Sequence, residues 1–144
     1  MTPSEAVPSF PRQEALTRRF RLGLPRAFRI SPDGDRIAFL RSAGGRDPVG
    51  SLWAGQLLDG VLVERRVVDS RELVRSDADL PEAEKARRER MRETTSGITA
   101  FTTDSAVTRA VFSLDGIPYT VGLAEEGAAP VIARLARDVG ALTV

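Results

Sequence analysis

The sequence predicts an all-β fold that consists of two blades of an incomplete β-propeller, with a short N-terminal helix and an inserted charged helix. Short apolar runs of period two are separated by turn residues, as in antiparallel strands. The same pattern returns after a charged interruption. The predicted parts are a lead-in at 1–24, a first blade at 25–78, an inserted helix at 79–95 and a second blade at 96–144.

The lead-in is expected to contain one short helix over residues 11–21, after a polar, proline-rich start. Ser9 stands where a helix cap would be, and a proline follows in the first turn. Leu16 and Phe20 are spaced to share one face of this helix. Gly23 is expected to end it.

The first blade is predicted to have four short strands. Turn chemistry at 31–35 (SPDGD) separates the first two, and a glycine-rich loop at 42–50 precedes the third. Asp59-Gly60 predicts a tight hairpin before the fourth. Four antiparallel strands in about forty residues are typical of one propeller blade. The predicted strands are 27–30, 37–40, 51–57 and 61–68.

The interruption at 79–95 is predicted to be a charged helix. Asp79 can cap it, and Glu84 and Arg88 form a favourable pair one turn apart. Gly97 is expected to stop it. Because its apolar stripe is thin, we expect this helix to be solvated, mobile and an early site of cleavage by trypsin.

The second blade repeats the pattern of the first. Phe112 corresponds to Phe39 and Tyr119 to Trp53, and Asp115-Gly116 predicts another tight turn. Two blades cannot close a ring, so an apolar face is expected to remain bare and to promote self-association. The strands are predicted at 98–102, 108–113, 116–123 and 131–136, and the bare face is expected to include Val111, Val121 and Ile132.

Composition excludes several classes of site. The chain has no cysteine, so neither disulfides nor thiolate metal sites are possible, and it has no histidine for a serine–histidine–aspartate triad or a zinc site. A net charge of +1 does not favour nucleic acid. No apolar run could span a bilayer, and the N-terminus lacks the pattern of a secretory signal, so a cytoplasmic location is expected. No catalytic, cofactor or metal-binding residues are predicted.

Some residue types suggest ligand sites, but each has a simpler structural explanation. Trp53 is predicted to face the core and to be mostly buried between the blades, beside Phe39. The glycines of 44–50 lack the spacing and the lysine of a phosphate loop, and the arginines of 87–92 alternate with glutamates as on a solvated helix. Cation binding is not expected for Asp33, Asp35 and Asp47, because they do not form an Asp-x-Asp-x-Asp-Gly loop, and turn formation explains Asp33.

Several segments resemble one family of peptidases. Residues 28–42 read FRISPDGDRIAFLRS and resemble the opening blade of bacterial dipeptidyl peptidase IV homologues, within the prolyl oligopeptidase family. Residues 10–13 with 22–25 resemble the lead-in of that family, and 80–90 its charged helical insertion. Residues 97–99 resemble the entry to its next blade.

The resemblance implies a non-catalytic role for this chain. In that family an N-terminal propeller covers an α/β-hydrolase domain and restricts access to peptide-sized substrates. Its Gly-x-Ser-x-Gly nucleophile elbow does not occur here. Its paired glutamates bind the free amine of the substrate, but Glu125-Glu126 of this chain lack the preceding Asp-Trp, which favours a plain loop.

We therefore expect a propeller segment of a serine-type dipeptidyl peptidase. The expected partners are the remaining blades, the α/β-hydrolase domain and, in the parent enzyme, a peptide substrate. No partner among nucleic acids or membranes is expected. The alternative is a propeller-type protein-interaction module that oligomerises through its open blade edge.

Overall fold

The computed structural model describes residues 8–75, 82–83, 86–87, 89–90, 97–114, 116–124 and 131–135. Within them the chain forms two four-stranded antiparallel sheets, in each of which consecutive strands are neighbours. The all-β class is thereby confirmed.

The first sheet, named sheet A, consists of β1 (Arg26–Ile30), β2 (Arg36–Ser42), β3 (Gly50–Leu58) and β4 (Val61–Val68). The second, named sheet B, consists of β5 (Phe101–Thr103), β6 (Arg109–Leu114), β7 (Ile117–Gly122) and β8 (Ile132–Arg134). Two short helices accompany them, α1 (Phe10–Leu16) and α2 (Ser70–Arg75).

The two sheets share one hydrophobic core. In β6 buried and exposed residues alternate strictly, as expected when one face of a strand is covered. We call the face of each sheet that turns toward the shared core its inner face and the opposite one its outer face. The inner-face residues of sheet A are Ala38, Leu40, Leu52, Ala54, Val67 and Val68, and those of sheet B include Ala110, Phe112, Leu114, Tyr119 and Val121.

The first turn of each sheet has the same backbone hydrogen bond. The Ser31 amide donates to the Arg36 carbonyl at 2.9 Å, and the Asp104 amide donates to the Arg109 carbonyl at 3.2 Å. A carboxylate organises both turns, from Asp33 in sheet A and from Asp104 itself in sheet B. The expected role of Asp33 in turn formation is thus confirmed.

The third strand of each sheet is tied to this turn in the same way. The Leu57 amide donates to the Asp35 carbonyl at 2.8 Å, and the Leu123 amide donates to the Thr108 carbonyl at 2.8 Å. The hydrogen bonds of the two sheets therefore repeat in equivalent positions.

The turn of sheet B predicts a dependence of stability on pH. The pKa of Asp104 lies below its ordinary value of 3.8. The main cause is the hydrogen bond from the Thr108 hydroxyl, and the bond from the Arg109 amide also lowers the pKa. Stability from a lowered pKa is present above the unfolded value and is lost as the pH falls through the folded value. We expect Asp104→Asn to flatten the loss of unfolding free energy below about pH 4, as measured by urea titrations at several pH values. Asp35→Asn is the control, because Asp35 contacts Leu57 through its backbone; an unchanged slope in Asp104→Asn would contradict the prediction.

A glycine contact joins the start of β3 to the segment that precedes β5. Gly97 forms a parallel β-bridge with Gly50, and the Ile98 amide donates to the Gly50 carbonyl at 2.9 Å. The same carbonyl accepts a hydrogen bond from the buried Ser70 hydroxyl at 2.6 Å. The Gly50 carbonyl thus connects β3, α2 and the segment that precedes β5.

Arginines of sheet A add contacts across the junction of the two sheets. Arg65 donates to the Leu123 carbonyl at 2.8 Å and Arg26 to the Thr99 carbonyl at 3.3 Å. The guanidinium of Arg29 lies 5.9 Å from the centre of the Phe101 ring. These contacts use backbone acceptors and a ring face at the edge of the shared core.

The predicted helix at 11–21 is wrong in its second half. The helix ends at Leu16, and the Thr17 hydroxyl donates to the Gln13 carbonyl at 2.7 Å and accepts from the Phe20 amide at 2.9 Å. Such side-chain hydrogen bonds compete with a continuing helix. Phe20 then turns back, so its ring lies 5.8 Å from that of Phe10.

The remaining differences concern the ends of elements. The strand predicted at 98–102 is observed at Phe101–Thr103, and α2 was not predicted. In the inserted segment 79–95, the described residues 82–83, 86–87 and 89–90 have helical backbone and exposed side chains. Its other residues lie outside the described part, and its cleavage by trypsin stays a prediction.

Candidate functional site

The outer face of sheet A combines aromatic and aliphatic side chains. Trp53 is the direct cross-strand partner of Phe39, and their rings are stacked with centroids 6.4 Å apart. The Phe28 ring lies 5.9 Å from that of Phe39 on its other side. These three rings form a continuous aromatic row across β1, β2 and β3.

Aliphatic side chains extend this row and are largely open to solvent. Ile30 is 62% exposed, and Phe28 at the edge of the row is 48% exposed. Leu57 and Leu62 are exposed at the hairpin end of the same face. Large apolar side chains that are this open and contiguous are characteristic of surfaces that bind another molecule.

An arginine lies over the aromatic pair. The guanidinium carbon of Arg41 is 4.0 Å from the centre of the Trp53 ring and 5.3 Å from that of Phe39. Its Nη2 atom forms an ion pair with Glu64 at 3.1 Å, and its backbone carbonyl accepts a hydrogen bond from Trp53 Nε1 at 3.2 Å. Arg41 therefore shields the rings of Trp53 and Phe39 from water.

The same aromatic pair occurs in sheet B on the opposite side of the sheet, although Phe39 and Phe112 are both buried. Tyr119 is the cross-strand partner of Phe112, and their rings are stacked at 5.5 Å. This pair lies on the inner face of sheet B, against the shared core. Equivalent faces of the two sheets therefore point in the same direction, so that the inner face of sheet A covers the aromatic face of sheet B.

The cover of Arg41 on Trp53 leads to a spectroscopic prediction. Arg41→Ala is expected to shift the emission of Trp53, the only tryptophan, to longer wavelength and to increase its quenching by iodide, because the ring loses its shield. Loss of the cation–π contact should lower the unfolding free energy by about 1 kcal/mol. Arg109→Ala, on the outer face of sheet B, is the matched control. An unchanged Trp53 spectrum in Arg41→Ala would show that the guanidinium does not cover the ring.

The structure corrects the expected orientation of Trp53. Its predicted place beside Phe39 is confirmed, and most of its side chain is buried, as predicted. The prediction that it faces the core is wrong, because Leu52 and Ala54 on either side point to the core that the two sheets share. Period-two alternation identifies two faces without showing which of them is covered.

The residues expected on a bare face are divided between the two sides. Val111 is 38% exposed on the outer face of sheet B, whereas Val121 is buried and Ile132 packs against the core. The apolar surface that remains open is instead the outer face of sheet A. Sequence reasoning missed it because the strand pattern of β1 and β2 looked the same on both faces.

The other residues that suggested ligand sites have structural contacts. Both oxygens of Asp47 accept hydrogen bonds from the Arg71 guanidinium at 2.9 Å. Burial raises the pKa of Asp47, but the Arg71 and Val49 hydrogen bonds outweigh it and lower the pKa. Gly50 is the first residue of β3. Across the described ranges, no group of three or more acidic side chains could hold a metal ion.

A small cavity lies between the two sheets at the first-turn end. Its volume is about 30 Å³, and its walls include Arg36, Gln56, Arg65 and Leu123. This volume corresponds to about one water molecule. The cavity is therefore too small for a peptide.

Glu125 and Glu126 lie outside the described residues. Among the residues that are described, no helix has both the length and the apolar character needed to cross a membrane.

A comparison of the sequence with protein-family models and with curated proteins found no match.

Proposed function

We propose that the chain forms two blades of a β-propeller in a dipeptidyl-peptidase-IV-like serine peptidase, where they restrict peptide access to a catalytic α/β-hydrolase domain. The chain itself supplies no histidine and no nucleophile elbow, so its contribution is to bind and exclude rather than to catalyse.

The observation that carries the blade assignment is the packing of two equivalent sheets in the same sense. Each has four antiparallel strands in sequential order, with a stacked aromatic pair on the equivalent face. Radial repetition of such sheets is how propellers are built. Unlike faces of the two sheets meet in the shared core, as they do between neighbouring blades when one sheet is repeated radially.

The assignment to a peptidase is supported by the resemblance of residues 28–42 to the opening blade of that family. These residues form the end of β1, the first turn and β2 of sheet A. The same turn and strand contacts recur in sheet B, which supports its proposed role as a second blade.

The proposal is tested on the native polypeptide. An antibody raised against the chain is expected to isolate a polypeptide that is longer than 144 residues, reacts with a fluorophosphonate probe and cleaves dipeptidyl chromogenic substrates. The same enzyme should cleave short peptides and spare folded proteins. The purified 144-residue chain is expected to cleave none of them. An isolated polypeptide that does not react with the probe would contradict the peptidase proposal.

A second function is favoured by the open outer face of sheet A. Exposed Phe28, Ile30, Leu57 and Leu62 are suited to a protein-interaction module that oligomerises. In that case the native polypeptide would consist of this chain alone and would assemble with itself.

A further inference from the structure

We propose that the outer face of sheet A binds the outer face of sheet B of a second copy of this chain, so that copies associate head to tail. The inference rests on the blade-like packing proposed above and is independent of peptidase activity. It assigns a partner to the outer face of sheet A, which is apolar. The equivalent face of sheet B is buried in the shared core.

The junction inside the chain is the template for the proposed interface. There, the aromatic face of sheet B, with Phe112 and Tyr119, packs against the aliphatic inner face of sheet A. The equivalent aromatic pair of sheet A, Phe39 and Trp53, lies on the outer face beneath Arg41. The side chains of Phe28 and Ile30 beside it are exposed. In this template the cover is the inner face of sheet A, and the equivalent positions of sheet B form its outer face. We therefore expect the outer face of sheet B to cover the aromatic face of sheet A.

Both outer faces carry polar residues at positions where the equivalent face in the shared core is apolar. By strand register, Arg41 of sheet A is equivalent to Leu114 of sheet B, and Glu64 is equivalent to Ile132. Leu114 is buried and Ile132 is partly buried against the core. The outer aromatic face thus carries an ion pair where the inner one carries two aliphatic side chains.

The outer face of sheet B is more polar than the inner face of sheet A at two equivalent positions. Ser113 and Thr120 stand where the inner face of sheet A has Leu40 and Ala54. Hydroxyl groups can hydrogen-bond with the charged groups of Arg41 and Glu64, which aliphatic residues cannot do. Since burial of an ion pair is costly without such partners, this polar face suits the Arg41–Glu64 pair better than a purely aliphatic one.

The outer face of sheet B also presents the small residues that an aromatic row needs. Val111 is its apolar centre, with Thr102 and Thr120 as its cross-strand neighbours. Flat faces of small side chains allow rings to approach closely. Such a contact is heterologous, so it builds a ring or an open chain, and propellers of roughly four to eight blades would need about two to four copies.

The test uses two variants, each of which disables one side of the contact. Ile30→Glu charges the outer face of sheet A, and Val111→Glu charges the outer face of sheet B; both positions are exposed, so folding should be kept. Sedimentation measures mass over a range of concentrations. The wild-type chain is expected to gain mass with concentration, and each variant is expected to lose association by at least about tenfold.

An equimolar mixture of the two variants distinguishes the proposal from other contacts. Each variant keeps one working face, so the mixture should form one-to-one pairs and nothing larger. Val61→Glu, at the exposed hairpin tip, is the control and should associate as the wild type does. Association of Val111→Glu with itself would mean that like faces meet, and a wild-type chain that stays monomeric would also overturn the proposal. Circular dichroism of each variant verifies its fold, and the fluorophosphonate result does not bear on either outcome.

Discussion

Replacement of Gly97 by alanine is expected to lower the unfolding free energy by about 3 kcal/mol or more. Gly97 has a φ of +71°, a region that disfavours side chains, and its Cβ would overlap the Gly50 carbonyl oxygen and lie 2.7 Å from the Gly50 nitrogen. The obstacle is backbone, so no side-chain rotation can relieve it. The contact between Gly50 and Gly97 would have to open, and with it the hydrogen bond from the Ile98 amide.

Urea unfolding measured by circular dichroism provides the comparison. Gly44→Ala is the matched control, since a Cβ at Gly44 meets nothing within 4 Å. It is expected to change stability by less than about 0.5 kcal/mol. If Gly97→Ala were as stable as Gly44→Ala, the close approach of Gly50 and Gly97 would be refuted.

Truncation of Phe112 to alanine is expected to cost about 3–5 kcal/mol, the range for a large aromatic side chain in a core. Phe112 is only 3% exposed, and it belongs to the core that sheet B shares with sheet A. Because that core is common to both sheets, the loss should be transmitted to sheet A. The unfolding midpoint reported by Trp53, on the far face of sheet A, should therefore fall.

Val111→Ala is the control for Phe112, because Val111 is the adjacent residue on the opposite face of β6. Its effect is expected to be below about 1 kcal/mol, since the side chain is partly exposed. A Trp53 transition that does not move in Phe112→Ala, while circular dichroism loses part of its signal earlier, would show that the sheets unfold independently.

Local turn chemistry explains why most strands could be predicted. Asp59 and Gly60 both have positive φ, at 50° and 79°, as a tight hairpin requires, and the strands on both sides were placed correctly. The turn at 31–35 likewise depends on neighbouring residues, through Asp33 and its bond to the Asp35 amide.

Features that depend on distant partners could not be predicted in this way. Arg18, Arg19 and Phe20 adopt positive φ, although none of them is a glycine. Helix α2 is fixed by the buried Ser70 hydroxyl on the distant Gly50 carbonyl. The orientation of Trp53 depends on which face of sheet A meets sheet B, and strand periodicity contains no information about that choice.

The chemistry of the outer face of sheet A also depends on tertiary structure. In the sequence Arg41 follows an apolar run and is typical of a strand end at the surface. Only the folded sheet brings its guanidinium over Trp53 and within 3.1 Å of Glu64. The equivalence of Arg41 to Leu114 then becomes visible, and with it the difference between the aromatic pair that faces the shared core and the one that lies under Arg41.

The central claim is that the two sheets pack in the same sense, with unlike faces in contact. Nuclear Overhauser contacts between assigned side chains test it most directly. The rings of Phe112 and Tyr119 are expected to show contacts with methyl groups of the inner face of sheet A, such as those of Leu40, Leu52 and Val67, and none with the rings of Phe39 and Trp53. Contacts between the two aromatic pairs within one chain would show that like faces meet and would contradict the blade-like packing.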